Sequence, residues 1–530
     1  MSNSYPSSSV RSHRGMVAAG EPLSALAGLE MLMKGGNAVD AALAVAGVNL
    51  VTMPEACGLG GDAFMLVKTG GEIWDIRGSG SAPLAASPDH FLSQGLDALP
   101  LEGVLSVAVP GAPAAYQEAW MRWGTMDWQA LLEPAIFYAQ EGFPVSDRLS
   151  GNLCRHQAKL NAEARRALLP GDRAPRPGQI LPQPDLAVAL ERLAVDGSAP
   201  FYSGDVAEKY VSFMRERDGL MEEEDLQAHK TQVARPLKAA YRESTVYQTG
   251  PPSQGFIMLE ALAILSGWSL GDMDPAEATH VMVEAAKLAY RDRLERAGDP
   301  AVTKFRAEDL LAEDHIESRR ALIEPDKARP WPPGRGAGGD TTSFVVVDAA
   351  GNAVSFIHSL SHAFGSGVMV PGTGILLNNR LGRGFTLEEG HPNRLEPGKR
   401  TMHTLNAYMV IAPGGRMVVG NTPGGDGQPQ WNLQVLSAVL DRALGAQEAV
   451  SSPRWTIFPG TDPARMAELA QLRLEAGIPA GVARYLEARG HPVAWIDAWS
   501  GGGSAQLVIT DGHALEGGSD PRGGGLVLGF

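Results

Sequence analysis

Cysteine is nearly absent from this 530-residue sequence, which contains only Cys57 and Cys154. Two cysteines cannot build a disulfide framework or supply a cysteine-based metal site. Basic residues are also scarce, with 45 Lys and Arg against 60 Asp and Glu and a formal net charge of -15. An acidic chain of this kind is not expected to bind nucleic acid or an anionic membrane surface.

Long apolar runs are missing as well. Residues 41–53 form one of the longest, yet this run is too short to span a bilayer and contains Asn49. Residues 1–15 are polar and have no apolar core of signal-peptide length. We therefore expect a soluble, cytoplasmic protein without a membrane partner. With 44% hydrophobic residues, the chain can bury a large core, as two or more domains or as one large α/β unit.

One stretch places a hydroxyl residue in an unusual position. Residues 329–340 are rich in Gly, Pro and Arg, which predicts an exposed, mobile loop. Residues 342–347 are mostly β-branched or aromatic and predict a strand. Residues 348–352 have turn chemistry, and residues 353–360 predict a second strand that returns beside the first. Thr341 thus stands at the start of a buried strand, directly after a flexible segment.

Helical and strand patterns alternate along the rest of the chain. Helices are predicted over residues 22–34, 39–50, 149–169, 185–195, 205–215, 256–265, 279–296, 430–440 and 463–477, and strands over residues 63–68, 72–77, 237–249, 405–413, 416–419, 503–509 and 515–518. Residues 104–142 predict a strand, a turn and then helices.

Two kinds of active site are disfavoured by the sequence. A Ser-His-Asp triad is possible in principle, but no Gly-x-Ser-x-Gly elbow is present. His358 and His362 are four residues apart, yet they fall in a predicted strand and the turn after it, so they would not share a helical face. We interpret them as hydrogen-bonded polar residues and predict neither a metal site nor a cofactor.

The third possibility is an N-terminal nucleophile. If the bond between Asp340 and Thr341 is cut, Thr341 carries a hydroxyl and a free α-amine whose pKa of about 7.7–8.0 suits a general base. The same hydroxyl can make the cut by attacking the preceding carbonyl and passing through an ester. Backbone N–H groups of Gly424 and Gly425, ahead of a predicted helix, are candidate oxyanion donors. Spacing alone does not distinguish this hypothesis from two ordinary strand residues at 341–342.

Short motifs spread from about residue 13 to the C-terminus, in order, bear on this choice. They are GGNAVDAA (35–42), GLGG (58–61), PPS (251–253), EAAKLA (284–289), TT (341–342), GNAVS (351–355), FGSG (364–367), LNN (377–379), PGG (423–425) and SDPR (519–522). Together they resemble the γ-glutamyltransferase (glutathione hydrolase) family.

This resemblance implies an α+β protein with the four-layer αββα fold of N-terminal-nucleophile hydrolases. It also implies a proenzyme that cleaves itself before Thr341 into a large chain (residues 1–340) and a small chain (residues 341–530). The two chains would pair as a heterodimer within one globular unit, with further oligomerisation left open.

The resemblance also assigns roles to single residues. Thr341 matches the nucleophile, and Ser359 stands where the family has a Thr whose hydroxyl bonds to it. Arg77 matches the Arg that grips the α-carboxylate of the glutamyl group, although a surface ion pair also explains an Arg at this strand end. Gly424 and Gly425 match the glycines of the oxyanion hole.

Other positions depart from the family pattern. Ser361 stands where an Asn usually lies near the substrate amine, and His403-Thr404 replaces a pair of serines. The segment that usually ends in an Asp binding the α-ammonium contains Arg380 and Arg383 instead. A like charge within about 4 Å costs on the order of 4 kcal/mol at an effective dielectric constant of 20. If either Arg points into the pocket, an anion should bind well and a γ-glutamyl ammonium poorly.

The favoured hypothesis is therefore an autoprocessing Thr amidohydrolase that cuts an amide of a small acidic molecule, such as an oxamate-like amide or a dicarboxylic acyl amide. The alternative is a hydrolase or transferase of glutathione-type γ-glutamyl compounds. A non-catalytic family member is the third possibility, and the presence of Thr341, Ser359, Gly424 and Gly425 argues against it.

Overall fold

The computed structural model describes residues 8–331, 340–458 and 470–530. The helices are α1 Pro22–Met33, α2 Ala38–Thr52, α3 Pro88–Ser93, α4 Ala112–Trp123, α5 Trp128–Glu141, α6 Asp147–His156, α7 Ala162–Leu168, α8 Pro184–Asp196, α9 Pro200–Ser203, α10 Asp205–Arg215, α11 Glu223–Gln227, α12 Phe256–Leu265, α13 Pro275–Arg296, α14 Glu313–Arg320, α15 Arg380–Gly384, α16 Gln428–Leu440, α17 Ala446–Ser451 and α18 Ala480–Ala488. The strands are β1 Val10–Ser12, β2 Gly15–Ala19, β3 Asp62–Thr69, β4 Glu72–Gly78, β5 Phe143–Pro144, β6 Ile180–Leu181, β7 Gln232–Ala234, β8 Leu237–Tyr241, β9 Ser244–Gln248, β10 Asp340–Asp348, β11 Ala353–Ser361, β12 Met369–Val370, β13 Ile375–Leu376, β14 Tyr408–Ile411, β15 Met417–Asn421, β16 Trp455–Phe458, β17 Gln471–Glu475, β18 Val493–Ile496, β19 Gln506–Thr510, β20 Leu515–Ser519 and β21 Leu526–Gly529.

The predicted hairpin is present as β10 and β11, which pair antiparallel. In the turn, the Asp348 carboxylate accepts hydrogen bonds from the N–H groups of Ala350 and Asn352, both at 2.9 Å. Gly351 takes the left-handed conformation there, with φ of 75°. A second Asp348 oxygen accepts from the Ala38 N–H at the start of α2, so the same side chain closes the turn and fixes a helix against it.

Two large sheets contain most of the strands in the described part of the chain. One sheet has the order β21-β2-β10-β11-β3-β4-β7, and the other has the order β1-β20-β19-β15-β14-β9-β8. β10 and β11 are neighbours near the middle of the first sheet, so backbone hydrogen bonds hold them on both sides.

Alternating side chains on the central hairpin build a layered core. Phe344 and Val346 pack in a cluster with residues of α1, α2, α4 and α5 on the outer face of the first sheet. Val345 and Val347 point the other way, into an apolar layer shared with β14, β15 and β19 of the second sheet. A third cluster covers the opposite face of the second sheet with α12, α13 and α16. The order is therefore helix, sheet, sheet, helix, as the predicted αββα fold requires.

Four predicted elements are wrong. The helix predicted over residues 149–169 is broken into α6 and α7, which residues 157–161 separate. Residues 237–249 form the two strands of a hairpin, β8 and β9, with Arg242 at φ of 55° in the turn. Residues 104–106 form a single 3-10 turn instead of a strand. Of the helix predicted over residues 463–477, residues 471–475 form β17, which pairs with β16 and β18; residues 463–469 lie outside the described residues.

The loop predicted over residues 329–340 falls largely on residues 332–339, which lie outside the described residues. At its start, the Arg329 N–H donates to Glu284 Oε2 at 3.1 Å and the Arg329 carbonyl accepts from Lys287 Nζ at 2.8 Å. A buried ion pair on α13 therefore fixes the chain just before this segment. No helix in the described ranges combines the length and the apolar character needed to cross a bilayer.

Candidate active site

Thr341 lies in a β-bulge at the beginning of β10. Asp340 pairs with Ser361 and Thr342 pairs with His358, so Thr341 alone faces two residues of β11. Bulges commonly re-aim a side chain beside an active site. Here the Thr341 hydroxyl is buried and donates a hydrogen bond to Ser359 Oγ at 3.0 Å.

Ser359 is held in place by a second donor. The Ser361 N–H donates to Ser359 Oγ at 2.8 Å, and Ser361 takes a left-handed backbone conformation with φ of 89° as the chain leaves β11. Two donors therefore converge on one hydroxyl oxygen. The predicted hydrogen bond between Thr341 and Ser359 is present, and the Ser361 N–H orients the Ser359 hydroxyl that accepts it.

A buried carboxylate lies beside this pair. Asp62 is the first residue of β3 and pairs with Ser359 across the sheet. Its Oδ2 atom accepts from Arg380 Nε at 3.2 Å and lies 2.9 Å from His403 Nε2. Sequence reasoning missed Asp62; an acidic residue opening an otherwise apolar strand after a glycine turn was the only available signal.

The three side chains of this cluster, Asp62, Arg380 and His403, have defined charges. The Leu405 N–H donates to His403 Nδ1 at 3.1 Å, so the proton of the neutral ring sits on Nε2 and is donated to Asp62. Burial, with the nearby Arg380 charge, lowers the pKa of His403 to about 4. Burial also opposes ionisation of Asp62, but its contacts with His403 and Arg380 outweigh that and leave its pKa lowered. At neutral pH the cluster holds one ion pair and one neutral imidazole.

Arg380 begins the short helix α15, whose entry is fixed by Asn378. The Asn378 Oδ1 atom accepts from the Arg380 N–H at 2.9 Å, and its Nδ2 atom donates to the carbonyls of Gly60 and Ala108, each at 2.9 Å. This amide ties α15 to the glycine turn before β3. The predicted Asn378-Asn379 motif therefore acts through its contacts with the backbone.

A cavity of about 200 Å³ opens next to α15. Three of its lining residues are arginines, namely Arg293, Arg380 and Arg383, and the described lining contains no carboxylate. The lining also includes apolar residues: Ala98, Leu99, Leu101, Leu294, Phe385, Leu387 and Met402. Both sequence-predicted arginines thus line one pocket, which combines cationic and apolar side chains.

Arg383 connects this cavity to the nucleophile. Its Nη1 atom donates to Ser361 Oγ at 3.3 Å and to Thr404 Oγ1 at 3.4 Å. Ser361 in turn contacts Ser359, the acceptor of the Thr341 hydroxyl. The structure therefore brings these predicted site residues together as one chain of polar contacts that leads from the cavity to Thr341.

Arg77 already has protein partners, whereas an Arg that binds a substrate carboxylate is expected to have free N–H groups. Its Nη1 atom donates to the Pro251 carbonyl, and its Nε atom lies 3.2 Å from Asp75 Oδ2. Arg77 does not belong to the lining of the arginine cavity. Burial raises the pKa of Asp75 to about 6, although Arg77 and the Gly250 N–H favour its ionised form.

The predicted oxyanion loop joins β15 to α16. Gly424 and Gly425 both have positive φ, 115° and 56°. A Cβ atom at Gly424 would lie 2.4 Å from the Trp431 ring, so only glycine fits there. The Gly425 carbonyl accepts from Gln254 Nε2 at 2.9 Å, and its N–H lies 3.2 Å from the side-chain amide of Gln428.

The histidines considered as metal ligands have other partners. His358 Nδ1 lies 2.9 Å from the Tyr116 hydroxyl, and burial lowers the pKa of His358 to about 3. His362 Nδ1 lies 2.9 Å from Asn379 Nδ2. Both are hydrogen-bonded polar residues, as the sequence indicated.

Two further groups bring ligand atoms within 4.8 Å of one another, namely His280, Glu284 and His491, and Glu260, Asp292 and His315. Each already contains a protein cation. Lys287 Nζ donates to Glu284 Oε1 at 2.8 Å, and Arg319 forks onto both Asp292 oxygens. A divalent ion would have to displace or face these charges, so the donor sets do not fit one.

Comparison with known proteins agrees with this architecture. The family model for gamma-glutamyltranspeptidase matches residues 24–530. The glutathione hydrolase-like YwrD proenzyme of Bacillus subtilis (strain 168) is 36% identical over 97% of this chain and 98% of its own length. The oxamate amidohydrolase proenzyme of Klebsiella pneumoniae is 34% identical over 99% of this chain and 100% of its own length.

Among solved structures, the cephalosporin acylase from Bacillus halodurans superposes with a TM-score of 0.91 at 33% identity, covering 100% of this chain and 99% of that one. The fold and the full-length matches thus agree with each other. The chain belongs to the gamma-glutamyltranspeptidase family of N-terminal-nucleophile hydrolases, whose members act on amide bonds.

Proposed function

We propose that this protein cleaves itself between Asp340 and Thr341 and then hydrolyses an amide of a small substrate that carries an acid group. The observation that carries the proposal is the buried Thr341 hydroxyl, bonded to Ser359 and linked through Ser361 to an arginine-lined cavity. The similarity to an oxamate amidohydrolase and to a cephalosporin acylase supports amide hydrolysis as the reaction class.

Self-cleavage begins with attack of Thr341 Oγ on the Asp340 carbonyl carbon. The C–N bond breaks as the acyl group moves to oxygen, which gives an ester and frees the α-amine of Thr341. Water then hydrolyses the ester, leaving a carboxylate on Asp340 and the original hydroxyl on Thr341. The products are a large chain of residues 1–340 and a small chain of residues 341–530.

Turnover uses the new amine as the base. It takes the hydroxyl proton while Thr341 Oγ attacks the substrate carbonyl, and the oxyanion is stabilised by backbone N–H groups of Gly424 and Gly425. The tetrahedral intermediate collapses to an acyl-enzyme when the leaving amine receives that proton. A water molecule repeats the sequence and releases the acid.

The cavity favours an acid group on the acyl side. The Arg380 side chain is 2% exposed and Asp62 engages its Nε atom, whereas Nη2 has no hydrogen-bond acceptor in the described part of the chain. A buried guanidinium N–H without an acceptor favours a carboxylate ligand. The apolar lining residues suit a short methylene chain, so a dicarboxylic acyl group would contact both these residues and the arginines. Oxamate would use the arginines alone.

A γ-glutamyl substrate is the competing possibility. Its α-ammonium would need an anion, and Asp62, the carboxylate that contacts Arg380 and His403, is already neutralised by Arg380. The arginines that line the cavity would repel the ammonium. We therefore favour hydrolysis of an acidic amide over γ-glutamyl transfer.

The test compares four p-nitroanilides, with succinyl, glutaryl, butyryl and γ-glutamyl acyl groups, and oxamate by ammonia release. We expect the protein to purify as two chains and to prefer the succinyl or glutaryl compound over butyryl, which has similar length and no acid. Faster release from the γ-glutamyl compound would overturn the role given to the arginines. A single uncut chain without turnover would overturn the mechanism.

A further inference from the structure

The third cavity arginine, Arg293, was not singled out by the sequence. It lies on α13 and is 3% exposed. Its Nη1 atom donates to Gln254 Oε1 at 3.0 Å and also to Asp426 Oδ1. Asp426 follows directly after Gly425, so Arg293 contacts the loop that holds the proposed oxyanion donors.

The neighbours of Arg293 bind the backbone of the same loop. Tyr290, one helical turn earlier on α13, donates its hydroxyl hydrogen to the Asp426 carbonyl. Gln254 Nε2 donates to the Gly425 carbonyl at 2.9 Å and to the Thr404 carbonyl at 2.7 Å. Two side chains of the expected large chain thus hold the carbonyl groups of two consecutive residues of the expected small chain, and Arg293 holds the Asp426 side chain beside them.

The Nε side of the Arg293 guanidinium has no protein partner among the described residues. Its Nε atom is buried and has no hydrogen-bond acceptor among the described residues, and the side chain lines the same cavity as Arg380. One rigid, planar guanidinium therefore contacts Asp426 through Nη1 and belongs to a side chain that lines the cavity where the acid group would bind. A rotation at one end must move the other, because the five N–H groups share a plane.

We propose that Arg293 is a positioning residue that couples binding of the acid group to the order of the Gly424–Gly425 loop. The inference rests on the proposed function for the identity of the cavity ligand. A carboxylate on Nε fixes the guanidinium, and the guanidinium fixes Asp426 and the two backbone N–H groups beside it. An acidic substrate then gains rate as well as affinity.

The experiment uses Arg293→Met and Arg293→Lys, with Arg291→Met as the matched control because Arg291 is an exposed Arg on the same helix. Thr341 is first acylated with p-nitrophenyl acetate, a neutral activated ester, and the mass of the small chain is followed with time. Loss of one oxyanion donor costs on the order of 100-fold in rate, so misplacing the loop should slow acylation by about 10- to 100-fold in Arg293→Met. Arg291→Met should acylate at the wild-type rate.

Steady-state kinetics then distinguish the effect of Arg293 on binding of the acid group from its effect on the Gly424–Gly425 loop. For the glutaryl anilide, Arg293→Met should raise KM and lower kcat, whereas for the butyryl anilide it should lower kcat alone. Arg293→Lys keeps a cation opposite Asp426 but lacks Nε, so it should recover kcat and keep the raised KM. Losses confined to the glutaryl compound, or wild-type acylation by the ester in Arg293→Met, would refute the coupling.

Asp426→Asn provides an independent route if Arg293→Met does not fold or mature. It should slow acylation by the ester without changing KM for the butyryl compound, because Arg293 then has no charged partner on the loop. Acylation of Asp426→Asn by the ester at the wild-type rate would overturn the proposal. If the wild type is acylated by the ester yet hydrolyses none of the acid amides, the proposed function fails while the ester data still decide the role of Arg293.

Discussion

Thr341 Oγ1 donates a hydrogen bond to Ser359 Oγ at 3.0 Å, although the two residues are 18 positions apart in the chain. The turn at Asp348 and the bulge beside Thr341 set this contact. A nucleophile that is already oriented loses little rotational freedom when it attacks. The contact therefore defines the first two variants to make.

Thr341→Ala should remain a single uncut chain, because it removes the attacking oxygen. Ser359→Ala should still cleave, but more slowly, since the Thr341 hydroxyl loses its acceptor, and Ser359→Thr should restore the rate. Denaturing gels sampled over hours after expression measure the cut fraction. Two chains from Thr341→Ala would rule out Thr341 as the attacking residue.

Asp62→Leu should destabilise the fold by about 3–5 kcal/mol, because it leaves the buried Arg380 charge without its partner. Asp62→Leu/Arg380→Met removes both charges and should regain most of that loss. Urea denaturation of the purified protein gives both values, with the exposed Asp97→Leu as the surface control. If the double variant were as unstable as Asp62→Leu, Arg380 would not be the partner whose loss matters.

Arg383→Met should raise KM for the glutaryl anilide by about 10- to 100-fold, the equivalent of one charge-assisted hydrogen bond of about 1.5–3 kcal/mol. The butyryl anilide serves as the control and should show an unchanged KM. For the glutaryl anilide, the KM of Arg383→Lys should lie between those of the wild type and Arg383→Met. An ammonium keeps the positive charge but lacks the bidentate geometry of a guanidinium. Equal effects on both substrates would assign Arg383 to positioning Ser361 and Thr404 instead of binding the acid.

Arg77→Ala should raise KM and leave kcat unchanged if Arg77 binds a substrate carboxylate, as the family resemblance implies. The contacts to Pro251 and Asp75 offer a structural role as the rival. Asp75→Asn is the control, because it removes the neighbouring charge and keeps Arg77. An unchanged KM in Arg77→Ala, together with a lower melting temperature, would remove Arg77 from the site.

Stability should fall on the acid side of pH 6.5 because of buried histidines. Burial lowers the pKa of His358 from 6.5 to about 3, so the unfolded chain takes up this proton first as pH falls. Between those values the group should reduce the free energy of unfolding by about 1.4 kcal/mol per pH unit. In His358→Gln, the slope of the free energy of unfolding against pH should decrease by the equivalent of one proton between pH 6.5 and 4.5. Urea denaturation at several pH values measures this slope. An identical slope in the variant would show that His358 is already charged in the fold.

Much of the local structure could be predicted because it depends on neighbours in the sequence. The β10–β11 hairpin follows from β-branched runs on each side of a turn, and α2 follows from local sequence as well, since the Asn37 side chain caps its first turn. Residues 237–249 form two strands where the sequence predicts one, because Arg242 and Glu243 carry no turn signal. Residues 471–475 form a strand because β16 and β18 supply partners, which no local pattern reveals.

The hydroxyl at the start of a strand, the glycines of the loop before α16 and the family motifs can all be recognised in the amino-acid sequence. The residues that surround them are known only from the folded structure. Asp62 and Arg380 are 318 residues apart, and they meet because a charge in this interior is stable only beside an opposite one. Arg293 contacts Asp426 for the same reason. Strand patterns depend on nearest neighbours, whereas the pairing of buried charges depends on which distant segments the fold brings together.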